Sequence, residues 1–379
     1  METLAVPQGT FSLARYPIRQ QETLRAWDAA DEYLLNYLND EQLLKSTSRI
    51  LLLNDSFGTL ACALADYQTL SISDSFIAYQ GMRNNLKHNR QDPDAVPFRH
   101  SLMDYGVPDQ PYDLVLLKIT KSLAQLEDQL HRIRPYIDEN TKIIAAGMVK
   151  AIHNSTLQLF ESLIGVTTTS LARKKARLIF STPNLTLSPP ENSYPKSYTL
   201  ENTDYQILNH ANVFSRERLD IGTRFFIENL PTDQRYQHIV DLGCGNGIVG
   251  LMAAAANPAA TISFVDESYM AVASAQSNFE NAFPDRKAEY SVTDCLSGMP
   301  SDSYDIILNN PPFHQQNAIG DFIAWQMFND AKASLKKGGE LWVIGNRHLN
   351  YHLKLKKLFG HCTTVASNKK FVILKAIKK

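Results

Sequence analysis

The chain has 379 residues, 44% hydrophobic and 20% charged, with a formal net charge of −1. That length allows two or three domains, each able to bury a core, and that composition excludes wholesale disorder, a collagen-like repeat and a low-complexity chain. No run approaches the ~18 apolar residues of a membrane-spanning helix, residues 1–17 lack the basic-then-apolar pattern of a signal peptide, and Cys62, Cys244, Cys295 and Cys362 lie far apart without a C-x-x-C pair, which argues against a zinc site or a disulfide framework and fits a reducing cytoplasm.

In chain order, residues 1–44 carry seven acids and three bases. Ile50-Leu51-Leu52-Leu53 predicts a strand, and Gly58-Thr59-Leu60 opens a helix. Tyr112-Asp113-Leu114-Val115-Leu116-Leu117 predicts another strand. Residues 181–197 hold four prolines and no long apolar run, so they read as a linker. Beyond it, strands are predicted at 238–241, 260–266, 304–309 and 340–344. Helices are predicted at 248–256, from the second of these strands to 278, at 322–335 and at 351–359. Residues 363–367 and 371–377, joined by Asn368-Lys369-Lys370, read as a terminal hairpin. Residues 336–379 carry eleven bases and one acid, Glu340. Such a surplus suits either a solvated face or an electrostatic footprint for a polyanion, and charge alone leaves both open.

Short apolar runs alternating with helix-period segments imply βαβ units and a parallel sheet. The two halves repeat one plan. Residues 112–117 resemble 304–309, and residues 165–178 align without gaps on 360–373, with identities at Gly165/Gly360, Thr168/Thr363, Thr169/Thr364, Lys174/Lys369 and Lys175/Lys370. The offset between halves stays between 189 and 198 residues over five landmarks, which reads as a tandem duplication.

Asp241-Leu242-Gly243-Cys244-Gly245-Asn246-Gly247 follows a strand and opens a helix. Alternate glycines let a ligand approach the backbone, and the helix start offers N–H groups and a positive dipole end. A dinucleotide fingerprint wants a third glycine where Ile248 stands. Asp241, at the strand end, would repel a pyrophosphate but suit the cationic amino-acid part of S-adenosylmethionine. The run resembles motif I of class I S-adenosylmethionine-dependent methyltransferases. That resemblance implies cofactor binding by Asp241, Gly243, Gly245, Asn246 and Asn309, with a ribose acceptor in Asp266 and an adenine contact in Asp294.

Asn310-Pro311-Pro312-Phe313 follows the strand ending near Asn309. It resembles the (D/N)-P-P-(F/Y/W) motif of methyltransferases acting on planar nitrogens. An exocyclic amine is a poor nucleophile because its lone pair is delocalised into the ring. The Asn310 side-chain oxygen and the Pro311 carbonyl can hold both N–H bonds and turn that lone pair toward the methyl donor, while Phe313 can stack on a flipped base. Positioning and electrostatics then supply the gain, and no metal is required.

His210-Ala211-Asn212-Val213-Phe214-Ser215, the run from Leu219 to Phe226, NPPFHQQ from Asn310 and GNRHLNY from Gly345 narrow the resemblance. With a degenerate first copy, the whole chain resembles the bacterial ribosomal RNA guanine-N2 methyltransferases, which carry two methyltransferase-like domains of which the second is active. Within that group it is nearest the large-subunit (23S rRNA) enzymes, since Gln315-Gln316 stands where the small-subunit (16S rRNA) relatives usually have glycine. The resemblance implies an α/β fold of two tandem class I methyltransferase (Rossmann-like) domains, with doubly wound, mostly parallel sheets and a C-terminal hairpin strand. Residues 1–180 form the degenerate, RNA-binding copy, 181–197 the linker and 198–379 the catalytic domain. The expected protein is a cytoplasmic monomer that acts on 23S rRNA with S-adenosylmethionine, without membrane or metal.

The first copy departs from the active pattern at each chemical position. Asn54, Ser56 and Phe57 replace Gly243, Gly245 and Asn246, Ser73 replaces Asp266, and Lys118-Ile119-Thr120-Lys121 replaces Asn310-Pro311-Pro312-Phe313. Lys118, Lys121, Arg173, Lys174, Lys175 and Arg177 are expected to contact RNA phosphates. The residues leave room for the same chemistry on a 16S rRNA guanine, a DNA adenine or a protein glutamine, and for an inactive RNA-binding assembly factor.

Overall fold

A computed structural model describes residues 2–19, 22–312 and 318–379, and the side chains of all of these but 318–321. The chain divides into two compact units, Met1–Ser193 and Tyr194–Lys379. The first opens on a hairpin of β1 (Glu2–Val6) and β2 (Gly9–Leu13). Next come α1 (Ala29–Asp40), β3 (Arg49–Leu53), α2 (Thr59–Ala63), β4 (Gln68–Ser73), α3 (Phe76–His88) and β5 (Phe98–His100). β6 (Leu114–Lys118), α4 (Leu123–Ile133), β7 (Lys142–Met148), α5 (Asn154–Leu163), β8 (Thr167–Thr169) and β9 (Ala176–Ser181) complete it. The sheet runs β5-β4-β3-β6-β7-β9-β8, parallel from β5 to β7 and antiparallel beyond. Helices cover both faces, which is why the central strands are apolar without alternation. Ile50 and Leu52 of β3 enter the core beneath α1 and α2, whereas Leu51 and Leu53 enter the opposite core beneath α4 and α5.

The second unit opens on a hairpin of β10 (Lys196–Thr199) and β11 (Gln206–Asn209). It continues through α6 (Ile221–Ile227), β12 (His238–Leu242), α7 (Ile248–Ala256), β13 (Thr261–Asp266), α8 (Tyr269–Ala282), β14 (Glu289–Val292) and β15 (Tyr304–Asn309). It ends in α9 (Ala318–Ser334), β16 (Leu335–Asn346), α10 (Tyr351–Phe359), β17 (Thr363–Ser367) and β18 (Phe371–Ile377). Its sheet order, β14-β13-β12-β15-β16-β18-β17, matches the first strand for strand. Finer details repeat as well. Ser75 and Ser268 cap α3 and α8. Asn85 of α3 donates to the Phe57 carbonyl, and Asn278 of α8 donates to the carbonyl of Asn246, the matching loop residue.

Two expectations need correction, and one feature has no expectation to match it. The opening hairpins of both units carry no strong alternating pattern and went unforeseen. They are pinned from outside: Leu208 N–H donates to Asn278 Oδ1, and Ala14 N–H donates to Asn85 Oδ1. The strand expected at 340–344 starts at Leu335, which already pairs with Tyr304 before a bulge brings Glu340 opposite Ile306. The expected linker is not free chain. Arg134 donates to the Leu187 carbonyl and Asn192 to Asp128, which ties this stretch to the first unit, while β10 already belongs to the second.

Candidate functional site

In each sheet the strand order reverses between two neighbouring parallel strands, β3 and β6 or β12 and β15. The carboxyl ends of such a pair open a crevice where ligands of open α/β sheets bind. In the second unit that crevice is bordered by the loop after β12, the end of β13 and the end of β15.

The loop is clipped to β13: Gly243 N–H and Cys244 N–H both donate to the Val265 carbonyl, at 2.8 and 3.0 Å. Asp266 ends β13 and accepts Gly245 N–H on Oδ2 and Ser268 N–H on Oδ1, each at 3.0 Å. Burial raises its carboxyl above the usual range, and these backbone donors pull against that. A Cβ at Gly245 would meet nothing within 4 Å, and its φ is +54°. The loop is therefore open where a ligand would lie against its backbone. Gly247 serves packing instead, since a Cβ there would sit 2.7 Å from Ala275 Cβ of α8. Its counterpart Gly58 would collide with Met82 Cα at 2.5 Å, which explains why this one glycine survives in both copies.

Four of the residues expected to contact the cofactor are buried. Asp241 is 2% exposed and accepts Gly250 N–H at 2.7 Å, so it braces α7. Burial pushes its carboxyl up to about 8. In the first copy Asp55, three positions further along, braces the matching Ala61 N–H at 2.8 Å. Asn246 is buried and donates to Asn209 Oδ1 at 2.8 Å, tying the loop to β11. Asn309 is 0% exposed, and its amide donates to the Leu242 carbonyl at 2.8 Å, so it acts on the loop from within. Asp294 lies buried just past β14, and its carboxylate helps to push the neighbouring Cys295 thiol up, after burial itself.

At the end of β15, Asn310 donates from Nδ2 to Thr223 Oγ1 of α6 at 3.2 Å. Its Oδ1 is buried and has no hydrogen-bond partner among the described residues. Pro311 is buried beside it. Phe313, the expected stacking ring, lies outside the described residues. Sequence reasoning missed Thr223. The only local signal was Asp220 three residues earlier, which caps α6 by accepting Gly222 N–H and Thr223 N–H at 2.8 and 3.0 Å.

In the first unit, pairing register aligns Lys118 with Asn310: Leu53 stands opposite Leu117, as Leu242 stands opposite Asn309. Lys118 is 8% exposed, and its Nζ lies 2.9 Å from Asp28 and 2.8 Å from Asp31. Burial lowers its pKa, but the two carboxylates outweigh that and raise it. Lys118 is thus removed from the expected phosphate contacts, because a buried, doubly paired ammonium is not available to RNA. Lys121 and Lys175 are exposed. Arg173 lies over the Tyr33 ring at 5.0 Å, Lys174 pairs with Glu32 at 3.0 Å, and Arg177 is half-buried. Among the described residues, no group of three or more His, Cys, Asp or Glu could hold a metal ion, and no helix is long and apolar enough to cross a membrane.

Residues 1–185 match a family model described as RLMG N-terminal domain, and residues 204–375 one described as methyltransferase small domain. A Klebsiella pneumoniae protein named ribosomal RNA large subunit methyltransferase G is 53% identical over 374 residues, covering 97% of this chain and 96% of that one. A Streptomyces avermitilis protein of the same name is 49% identical over the full length of both chains. Among solved structures, a T. Thermophilus 16S rRNA N2 methyltransferase in complex with AdoMet and guanosine superposes with a TM-score of 0.78 at 21% identity, covering 100% of this chain and 98% of the other.

Proposed function

This chain belongs to the ribosomal RNA large subunit methyltransferase G family, and we propose that it transfers a methyl group from S-adenosylmethionine to the exocyclic N2 of one guanine in 23S rRNA, as a cytoplasmic monomer. The observation that carries this reading is Asn310 Oδ1, a buried acceptor at the end of β15 without a partner among the described residues. A buried unpaired oxygen costs about 1–3 kcal/mol. It persists most simply where a substrate N–H completes it.

The second unit fits the cofactor on two features of its own, the open backbone at Gly245 and the Asp266 carboxylate hydrogen-bonded beside it. When bound, S-adenosylmethionine supplies an activated methyl on a sulfonium centre. Asp266 would accept from ribose hydroxyls, Gly243 and Gly245 would let the ligand lie on the loop, and Asp294 would read the adenine amine. Asp241, Asn246 and Asn309 hold the loop that does so. Asn310 Oδ1 and the Pro311 carbonyl would each accept one N–H of the guanine amine, orienting its lone pair, while Phe313 would stack on the base. The methylated amine can then lose its proton to solvent.

The first unit would grip RNA through Lys121, Arg173, Lys174, Lys175 and Arg177. Its own crevice is closed to chemistry by the Lys118 ion pairs. The exposed Lys174–Glu32 pair is worth little, so a phosphate can replace the carboxylate.

The test is methyl transfer to unmodified 23S and 16S rRNA, with nucleoside analysis by mass spectrometry. N2-methylguanosine in 23S rRNA alone is expected. Methyl on 16S rRNA, on adenine or on no nucleotide would overturn the proposal.

A further inference from the structure

We propose that Thr223 is a positioning residue for the methyl-accepting amine: its hydroxyl holds the Asn310 amide so that Oδ1 faces the substrate. The inference rests on the reading of Asn310 as an acceptor for guanine N2. An asparagine amide turns about a broad, two-fold torsion. Flipped by half a turn, it would present NH2 to an NH2 donor and repel the substrate. A hydroxyl can accept from Nδ2 or donate to Oδ1, so the orientation rests on the bond that the structure shows. Asn310 Nδ2 donates to Thr223 Oγ1 at 3.2 Å, whereas Oδ1 is buried and meets no partner among the described residues.

Thr223 is itself well held. Asp220 caps its backbone N–H, and Phe226 of the same helix is 0% exposed in the core. Gly222 lets the helix start pack closely, because a Cβ there would meet Asp220 Oδ2 at 3.0 Å and the Phe371 ring at 3.1 Å.

The first unit shows that the fold itself joins these two positions. Asp28 caps α1 as Asp220 caps α6, and Asp31 stands three residues after its cap as Thr223 does. Lys118, in register with Asn310, reaches Asp31 at 2.8 Å. The same link between helix start and strand end is thus made twice, once by a neutral pair and once by ions. In the ionic version the carboxylates turn to the lysine and the helix start: Asp28 Oδ1 takes Lys118 and Ala30 N–H, and Asp31 Oδ2 takes Asp28 N–H.

The full-length protein would be assayed with S-adenosylmethionine and unmodified 23S rRNA, comparing wild type, T223V, T223S, N310A and T223V/N310A. T223V is expected to lower kcat about tenfold or more, with KM for RNA and calorimetric affinity for S-adenosylmethionine within about twofold. T223S should restore most of the rate, since it keeps the hydroxyl. T223V should cost nothing further on the N310A background, because both act through one amide. If T223V does not fold, T223A carries the same comparison. Wild-type kcat in T223V or T223A, no recovery in T223S, or fully additive losses would overturn the inference while leaving the guanine-N2 reading intact. Wild-type protein that methylates no guanine N2 would overturn that reading, and this inference with it.

Discussion

Asp266 shapes the glycine loop, and the proposed function gives it the ribose. D266A is expected to weaken S-adenosylmethionine binding by about 1.5–3 kcal/mol, the worth of hydrogen bonds to a charged group, with RNA affinity unchanged. Calorimetry with the cofactor and filter binding with RNA would separate the two. Lys118 makes the opposite kind of prediction. K118A leaves Asp31, buried in the first unit, without its counter-charge. It should destabilise the protein by about 3–5 kcal/mol while leaving the affinity for RNA unchanged, as read by denaturant titration and gel retardation. Asp241 gives a pH dependence. Burial raises its carboxyl to about 8, so the folded chain keeps a proton that the unfolded chain releases near the ordinary carboxylate value. That contribution to stability is complete below the unfolded value and is lost as pH rises through about 8. Asp55 in the first unit, raised to about 7 by burial and then by Asp31, acts in the same direction. D241N keeps an oxygen for Gly250 N–H and removes one of these protons. Its denaturation midpoint should therefore fall less than that of wild type between about pH 4 and 8.

At the scale of elements, the loop and helix after β12 combine two kinds of glycine that sequence does not distinguish. Gly245 faces open space, and Gly247 faces α8. G245A should fold, losing about 1–2 kcal/mol to its left-handed φ, and should bind S-adenosylmethionine markedly more weakly. G247A adds a Cβ within 2.9 Å of Ala275 Cα as well as its Cβ. It should therefore lower the melting temperature more, and G58A should do likewise through Met82. Melting curves of the three variants, with and without S-adenosylmethionine, check the division. The opening hairpins follow the same logic. Each is short and weakly patterned, and it is held through an asparagine on the neighbouring helix, Asn278 or Asn85. Such strands are invisible to a periodicity argument because their stability is tertiary.

At the scale of the whole molecule, a duplicated fold has kept its topology in both copies while the crevice chemistry diverged. The second copy retains Asp266 and, on Asn310, a buried acceptor with no partner among the described residues. The first fills the matching crevice with Lys118, Asp28 and Asp31. RNA binding should then depend on the first unit's cations at 173–177. Replacing Arg173, Lys174, Lys175 and Arg177 together in the full-length protein should flatten the dependence of log K on log salt. The change is at most about 0.7 per lost contact, near three in all if each touches a phosphate. N310A should leave that slope unchanged. An unaltered slope in the quadruple variant would move the RNA grip elsewhere.

What the sequence determined by itself was the plan: two α/β copies, the glycine loop, the strand-end acid Asp266 and the NPP turn. These features are local, since apolar runs, glycines and prolines act within a few residues of themselves. What only the tertiary structure decided was which of the conspicuous side chains remain open. Asp241, Asn246 and Asn309 sit in the motif yet turn inward, because the loop must be braced from beneath by groups that no short-range pattern identifies. Lys118 reads as a surface cation until α1, some 90 residues earlier, brings two carboxylates to it. Thr223 lies in the run 219–226, 87 residues from Asn310, with nothing in that run to single it out. Burial and partnership arise between distant segments, and they decide whether a charge meets solvent, a ligand or another part of the chain.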